Sequence, residues 1–184
     1  MNIEMLDKLS KAIEFATVAH QDQVRKSSGI PYITHPYMVG TLLLDAGCPL
    51  HVVISGYLHD VLEDTEVQKE EILKQFGSNV LAIVEGCSEP PKSYAWEYRK
   101  EQTLYYLESK ASKEVLQVTC ADKLHNIRSM HMQYIQEGEA MWYDFNRGKA
   151  DQKWFYQTLV HILEKRIGDF TLFPLLKQEV AWMF

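Results

Sequence analysis

The chain has 184 residues, 46% of them hydrophobic and 24% charged, so it is long enough to bury a core and its composition excludes a disordered chain. Its net charge is −6 with histidine neutral, which argues against non-specific binding to nucleic acid or to an anionic membrane surface. The negative charge of an anionic substrate must therefore be neutralised locally, by a metal ion or by a few basic side chains.

Apolar residues at helical spacing predict three helices in the first third of the chain. They run from Met5 to Ala19, from His35 to Gly47, and from Pro49 to about Asp64, with a loop at 29–31. The β-branched run at 52–54 is compatible with a strand, but the apolar spacing continues through Leu58 and Val61, which favours a helix.

The remainder of the chain also gives helical patterns. Helices are predicted over 69–76, from a Ser78 cap onward, over 94–107, from a Ser112 cap to about Tyr134, over 151–165 and over 173–183, with a clear loop at 88–91. No repeat, low-complexity tract or long linker divides the sequence. We therefore predict a single all-α domain over residues 1–184, with short connections between packed helices.

The three cysteines, Cys48, Cys87 and Cys120, form no CxxC pair, and an odd number argues against a disulfide framework. This usage indicates a reducing cytoplasm. The first residues lack the basic and apolar regions of a signal peptide, and no apolar stretch approaches the length of a membrane span. We expect a cytoplasmic protein with neither nucleic acid nor membrane as partner.

The densest group of polar residues is His59-Asp60 with Glu63 and Asp64, among core residues of one predicted helix. On such a helix Glu63 lies four residues after His59 and three after Asp60, so all three would share one face. A carboxylate there can receive a proton from an activated water, or help to orient that water.

Two further segments add possible metal ligands. His35 opens a predicted helix, and Asp122, which shares a face with Asn126, follows an apolar run where an unpaired charge is costly. Two imidazoles and two carboxylates suit Mn²⁺, Fe²⁺ or Zn²⁺ and leave coordination positions open for water and a phosphate oxygen. Basic side chains that can balance a phosphorylated substrate are Arg25, Lys26, Lys123 and Arg128.

Each of these features also has an ordinary structural interpretation when it is taken alone. A His-Asp dipeptide is common by chance, a single His35 or His125 is more often a hydrogen-bonded structural residue, and Arg25-Lys26 fits a charged surface turn. Spacing by itself does not decide between these structural roles and a metal site.

Three blocks of sequence resemble the hydrolase domain of RelA/SpoT-type alarmone enzymes and the small stand-alone hydrolases of that group. They are RKSSGIPYITHP at 25–36, LHDVLEDT at 58–65 and ADKLHNIR at 121–128. Together with Ala19-His20 they span residues 19–128, and a joint match of this length is highly specific for HD-type hydrolases.

The resemblance implies a helical HD domain that releases pyrophosphate from the ribose 3′ position of (p)ppGpp, usually with Mn²⁺. On that pattern the metal ligands are His35, His59, Asp60 and Asp122, the water-activating pair is Glu63 and Asp64, and the nucleotide is held by Arg25, Lys26 and Asn126.

The chain departs from the alarmone pattern after Gly86. Segments 93–100, 144–149 and 152–156 are instead similar to a less characterised bacterial subgroup of HD proteins. Two alternatives therefore stay open: hydrolysis of another nucleotide or small phosphate ester, and a non-catalytic nucleotide-binding module. In this region Trp96 and Trp154 are candidates to stack on a base, although a core role is the commoner one. The oligomeric state cannot be read from the sequence.

Overall fold

The computed structural model describes residues 2–25 and 28–184, and Lys26, one of the predicted nucleotide-binding residues, lies outside them. Within these residues the chain is helical, and its β pairing is limited to an isolated bridge between Val24 and Pro31. The predicted all-α fold is confirmed. The helices are α1 (Ile3–Ala19), α2 (Thr34–Asp45), α3 (Leu50–Leu58), α4 (Val61–Asp64), α5 (Lys69–Phe76), α6 (Ser78–Cys87), α7 (Trp96–Ser109), α8 (Lys113–Glu137), a 3₁₀ segment (Gly138–Asp144), α9 (Lys149–Ile167) and α10 (Phe173–Met183).

Several helix ends lie where the sequence places them. The predicted bounds of α5 and α10 agree with the structure, and Ser112 caps α8 by accepting a 3.3 Å hydrogen bond from the Val115 N–H. The predicted Ser78 cap is wrong by one position. Gly77 precedes α6 with φ 86°, a left-handed conformation that suits glycine, and Ser78 is already helical.

The long helix predicted from Pro49 to Asp64 is interrupted at His59-Asp60. Helix α3 ends at Leu58, and the single turn α4 begins at Val61. The apolar pattern continues across this break, because Leu58 and Val61 are both fully buried, so hydrophobic spacing alone gave no sign of it. At this break the side chains of His59 and Asp60 approach each other, with His59 Nε2 3.0 Å from Asp60 Oδ2.

Helices α2 and α3 pack closely because both carry a glycine at their contact. A Cβ at Gly40 would lie 2.4 Å from the Tyr57 ring, and one at Gly56 would lie 2.4 Å from Leu43. This contact brings the start of α2, with His35, near the end of α3, with His59.

Helix α8 packs against α2, α3, α6, α9 and α10. Its middle turns are buried, including Val118, Cys120, Ala121 and Ile127. Asp122 is therefore held among core side chains. In the described residues no helix has the length and apolar character needed to cross a membrane. That residues 1–184 form one domain stays a prediction.

Candidate metal centre and cleft

The four predicted metal ligands come from three segments and meet beside α8. Ligand atoms of His35, His59 and Asp60 lie within 4.8 Å of one another. The Oδ1 atom of Asp122 lies 3.2 Å from His35 Nε2 and 3.9 Å from His59 Nε2. The His59 Nε2 atom is also 3.0 Å from Asp60 Oδ2. The arrangement gathers two ring nitrogens and two carboxylates around one point.

A buried nitrogen without a hydrogen bond indicates that this centre suits a cation. His59 Nδ1 donates to the Gly56 carbonyl at 2.8 Å, so Nε2 is the ring atom that faces the carboxylates. In the described part of the chain that Nε2 atom is buried, and its 3.0 Å approach to Asp60 Oδ2 does not have the geometry of a hydrogen bond. Imidazole and carboxylate donors together fit a divalent metal ion.

Other side chains hold the ligands in place. Tyr32 donates from its hydroxyl to Asp60 Oδ2 at 2.5 Å, and Asn126 Nδ2 donates to Asp122 Oδ1 at 2.6 Å. The Lys123 ammonium lies 2.7 Å from Asp122 Oδ2. Such partners orient metal ligands and are part of the site's affinity.

The His35 ring is fixed by a second histidine. His35 Nδ1 lies 2.6 Å from His125 Nδ1, and the two rings are stacked with centroids 4.9 Å apart. Burial, then His35 and Arg25, lower the pKa of His125 to about 4, so it is a neutral partner at neutral pH. Burial likewise lowers the pKa of His35. A neutral His35 has its Nε2 free to act as a ligand.

The two carboxylates of the centre are ionised. Burial tends to raise the pKa of Asp60, but His59 and His35 hold it well below its usual range. Burial is likewise outweighed at Asp122, where Lys123 and His35 keep the pKa low. Burial tends to lower the pKa of His59, yet Asp60 and Asp122 raise it to about 9. The two carboxylates are thus in the ionised form in which they can bind a cation.

Glu63 and Asp64 lie in different surroundings. Glu63 Oε2 accepts a 3.0 Å hydrogen bond from the Glu89 N–H, and burial raises its pKa. Asp64 lines the main cleft and pairs with Lys92. Glu63 is nevertheless close enough to Asp60 for that carboxylate to contribute to its raised pKa. Its role as a water-activating residue stays a prediction.

A cleft of about 710 Å³ adjoins the metal centre and is rich in cations. Three predicted substrate-binding residues, Arg25, Lys123 and Asn126, line it. Arg25 Nη2 lies 3.4 Å from both Asn126 Oδ1 and Ser129 Oγ. Four cations that sequence reasoning did not select as site residues also line it: Lys92, Arg99, Lys100 and Arg147.

Arg128 does not line this cleft. Its guanidinium donates to Glu179 Oε1 at 2.8 Å, and the same carboxylate accepts from His131. Arg128 therefore lies on the side of α8 that packs against α10. Helical spacing places Arg128 on a different face of α8 from the residues that line the cleft, which are Lys123, Asn126, Ser129, Met130 and Gln133.

Two cations of the opposite wall, Arg99 and Lys100, belong to a buried charge cluster that centres on Glu89, a residue that does not itself line the cleft. Lys100 and Arg99 both pair with this carboxylate, and the side chains of all three are less than one-fifth exposed. The Lys100 ammonium also lies 4.8 Å from the centroid of the Phe155 ring. The sequence carried a signal for part of this wall, because the 93–100 block was singled out as a departure from the alarmone pattern.

A model of the HD domain family matches residues 12–144, which is most of the chain. The chain belongs to the HD domain family. Members of this family bind divalent metals. The match includes all four residues of the metal centre but ends before the last cleft residues, among them Arg147 and Tyr156.

Curated relatives match about two-thirds of the chain. A guanosine-3′,5′-bis(diphosphate) 3′-pyrophosphohydrolase of Borreliella burgdorferi is 35% identical over 124 residues, covering 65% of this chain and 18% of the relative. A GTP pyrophosphokinase of Streptomyces coelicolor is 36% identical over 127 residues, covering 68% and 15%. The chain thus spans less than one-fifth of the length of these relatives.

Two solved structures share the fold. The crystal structure of lmo0812 from Listeria monocytogenes is 33% identical with a TM-score of 0.74, covering 82% of this chain and 98% of that one. A metazoan SpoT orthologue, described as hydrolysing ppGpp, is 23% identical with a TM-score of 0.76, covering 95% and 94%. The second likeness shows the fold alone.

Proposed function

We propose that this protein is a cytoplasmic, metal-dependent phosphohydrolase that releases pyrophosphate from the ribose 3′ position of (p)ppGpp or a related nucleotide. The observation that carries the proposal is the meeting of His35, His59, Asp60 and Asp122 beside a cation-lined cleft. Relatives named as 3′-pyrophosphohydrolases support the substrate. The free cysteines support a reducing compartment.

The four residues of the centre would hold one divalent ion, with Mn²⁺ the proposed metal and Fe²⁺ or Zn²⁺ as alternatives. A bound ion would supply Lewis-acid chemistry, which lowers the pKa of water and neutralises charge on a phosphoryl oxygen. Tyr32, Lys123 and Asn126 keep the carboxylates oriented through the hydrogen bonds and ion pair described above.

The surrounding residues serve the substrate and the attacking water. Arg25 extends into the cleft and forms no ion pair with a carboxylate of the described residues, so its charge is available to a phosphate group. We assign to Glu63 and Asp64 the orientation of water and the acceptance of its proton. Lys26 is kept as a nucleotide-binding candidate on sequence grounds, and Arg128 is no longer proposed.

The direct test is pyrophosphate release from ppGpp by Mn²⁺-loaded protein. Asp60→Ala should lose both bound metal and at least about 10³-fold in turnover, since the metal contributes several kcal/mol to the reaction. Asp45→Ala, an exposed position on α2, is the matched control. Release no faster than that of Asp60→Ala would reject the alarmone as substrate.

A second candidate is the same chemistry on another nucleotide or phosphate ester. It is favoured by the part of the cleft formed by Arg147, Gln152, Phe155 and Tyr156, which lies beyond the family match. A panel of nucleotides and phosphate monoesters separates the two candidates. Preference for a compound without a 3′-diphosphate would support the second. Tight nucleotide binding without turnover under any metal would instead indicate a non-catalytic module.

A further inference from the structure

One face of α8 connects the metal centre to the far end of the cleft. Asp122, Asn126, Ser129 and Gln133 follow at intervals of four, three and four residues, and the last three line the cleft. At 1.5 Å per residue, Gln133 lies roughly 16 Å along the helix from Asp122. A nucleotide with its 3′ phosphate at the metal would extend its ribose and base along this face, in the direction of Gln133.

A carboxylate stands at that far end. Asp144, the last residue of the 3₁₀ segment, lines the cleft and accepts a 2.8 Å hydrogen bond at Oδ2 from Gln133 Nε2. The other carboxylate that lines the cleft, Asp64, is paired with Lys92. Asp144 has no cationic partner among residues 2–25 and 28–184, and its Oδ1 accepts no hydrogen bond from them. It is an uncompensated acceptor in a cleft otherwise rich in cations.

Aromatic side chains line the same cleft. Phe145 follows Asp144 directly, and Trp96 comes from the start of α7; both are half-buried. Flat aromatic faces next to polar groups are the usual surroundings of a bound base, because stacking supplies affinity and hydrogen bonds supply selection. The amide of Asn146 adds a donor and an acceptor at this end.

We propose that Asp144 selects guanine by accepting hydrogen bonds from the N1–H and 2-amino groups of the base. This inference rests on the proposed function, because that function places the phosphate at the metal. Guanine presents these two donors side by side, whereas adenine presents an acceptor at N1 and hypoxanthine lacks the 2-amino group. A carboxylate facing adenine would meet a second acceptor and stay unpaired, which disfavours that base.

The test compares bases by calorimetry in the presence of Mn²⁺, with guanosine and inosine 3′,5′-bisphosphates. These probes lack a pyrophosphate bond, so binding is measured apart from turnover. Wild-type protein should prefer the guanosine compound by about 10- to 100-fold, the discrimination of a paired hydrogen-bond contact to a base edge. Asp144→Asn keeps an acceptor for Gln133 but presents a donor to the base, and it should bind the two compounds with similar affinity.

The control is Asp169→Asn, an exposed acid that does not line the cleft, and it should keep the guanosine preference. A ratio of two bases cancels the general effect of removing a negative charge. Equal affinities in wild-type protein, no binding of either compound, or an unchanged preference in Asp144→Asn would overturn the inference. Pyrophosphate release from ppGpp is measured on the same preparations. Base preference without release rejects the hydrolase, and release without base preference rejects only the role of Asp144.

Discussion

The two walls of the cleft are built in different ways. On the metal side, His35, His59 and Asp122 are less than one-tenth exposed, and each is held by a hydrogen bond or ion pair to a neighbouring group. On the opposite side, α7, the 3₁₀ segment and α9 present half-buried or exposed groups such as Trp96, Asp144 and Arg147.

This difference separates the residues proposed to carry out the reaction from those proposed to select the substrate. The metal wall lies entirely inside the family match, whereas the opposite wall continues past its end at residue 144. Substitutions among the buried candidate ligands would alter the proposed reaction itself. Substitutions on the more exposed wall can alter substrate contacts and leave the ligands in place. We therefore expect mutations in the first wall to alter metal binding and turnover, and mutations in the second to alter substrate choice or stability.

The largest effect in this comparison is expected from Glu63→Gln, which tests whether Glu63 takes part in the reaction at the metal side of the cleft. Metal content should be unchanged, while turnover should fall about 10²- to 10⁴-fold, the usual contribution of a general acid–base group. The glutamine oxygen can still accept from the Glu89 N–H, so the fold is preserved. Turnover is measured by pyrophosphate release. Wild-type turnover in the variant would make Glu63 a structural anchor for the 88–91 loop.

The second effect concerns the stability of the opposite wall. Glu89→Gln removes the charge shared by Arg99 and Lys100 and should cost about 3 kcal/mol, because it leaves buried cations uncompensated. For a protein of this length that corresponds to a fall in Tm of roughly 6–12 °C. Glu85→Gln, which breaks only a surface pair with Lys69, is the control and should change Tm little.

The same carboxylate gives stability a pH dependence. Burial tends to raise the pKa of Glu89, but Lys100 and Lys123 lower it below its ordinary value of 4.5. The folded state therefore binds this proton less readily than the unfolded state. Its stabilising contribution is present above pH 4.5 and is lost as pH falls through the lower folded pKa. A Glu89→Gln variant with wild-type Tm and wild-type acid sensitivity would contradict this assignment.

A smaller effect is expected from Tyr32→Phe, which removes the hydroxyl that donates to Asp60 Oδ2. Loss of such an outer partner should weaken metal binding about 10- to 100-fold, as measured by titration with Mn²⁺. Tyr143→Phe is the control, since Tyr143 is 92% exposed. Unchanged metal affinity in Tyr32→Phe would show that the phenol does not support the centre.

The last comparison, which includes the smallest expected effect, separates two arginines that the sequence analysis grouped as substrate-binding. Arg25→Ala should raise KM roughly 10- to 100-fold, because it removes a charged hydrogen-bond donor from the cleft. Arg128→Ala should leave KM and kcat unchanged and lower stability by less than about 1 kcal/mol, since the arginine of its pair with Glu179 is about half exposed and Glu179 keeps its contact with His131. Equal effects of the two variants would contradict the assignment of Arg128 to the α10 contact.

The sequence predicted those parts of the molecule that depend on local pattern. The all-α class, the bounds of α5 and α10 and the Ser112 cap follow from apolar spacing and capping chemistry. The four residues of the metal centre were found because three blocks resembled a known family. Their spacing did not itself bring them together.

The rest depends on tertiary packing. The break at His59-Asp60 is invisible to hydrophobic spacing because buried residues continue on both sides of it. Glu89 meets Arg99 and Lys100 only because the 88–95 connection folds back on α7, and Asp144 reaches Gln133 only through the 3₁₀ segment. Arg128 was assigned to the substrate for a different reason. Its spacing from the other α8 residues already places it on a face of the helix that does not line the cleft.

The central claim is that His35, His59, Asp60 and Asp122 together bind one divalent ion. The most direct test is titration of metal-free protein with Mn²⁺, with free ion followed by electron paramagnetic resonance. We predict one tight site per chain in the wild type and none in Asp122→Ala or His59→Ala, with Asp169→Ala as a control that keeps the site. A wild-type chain that binds no Mn²⁺, or ligand variants that bind it as tightly as the wild type does, would contradict the account.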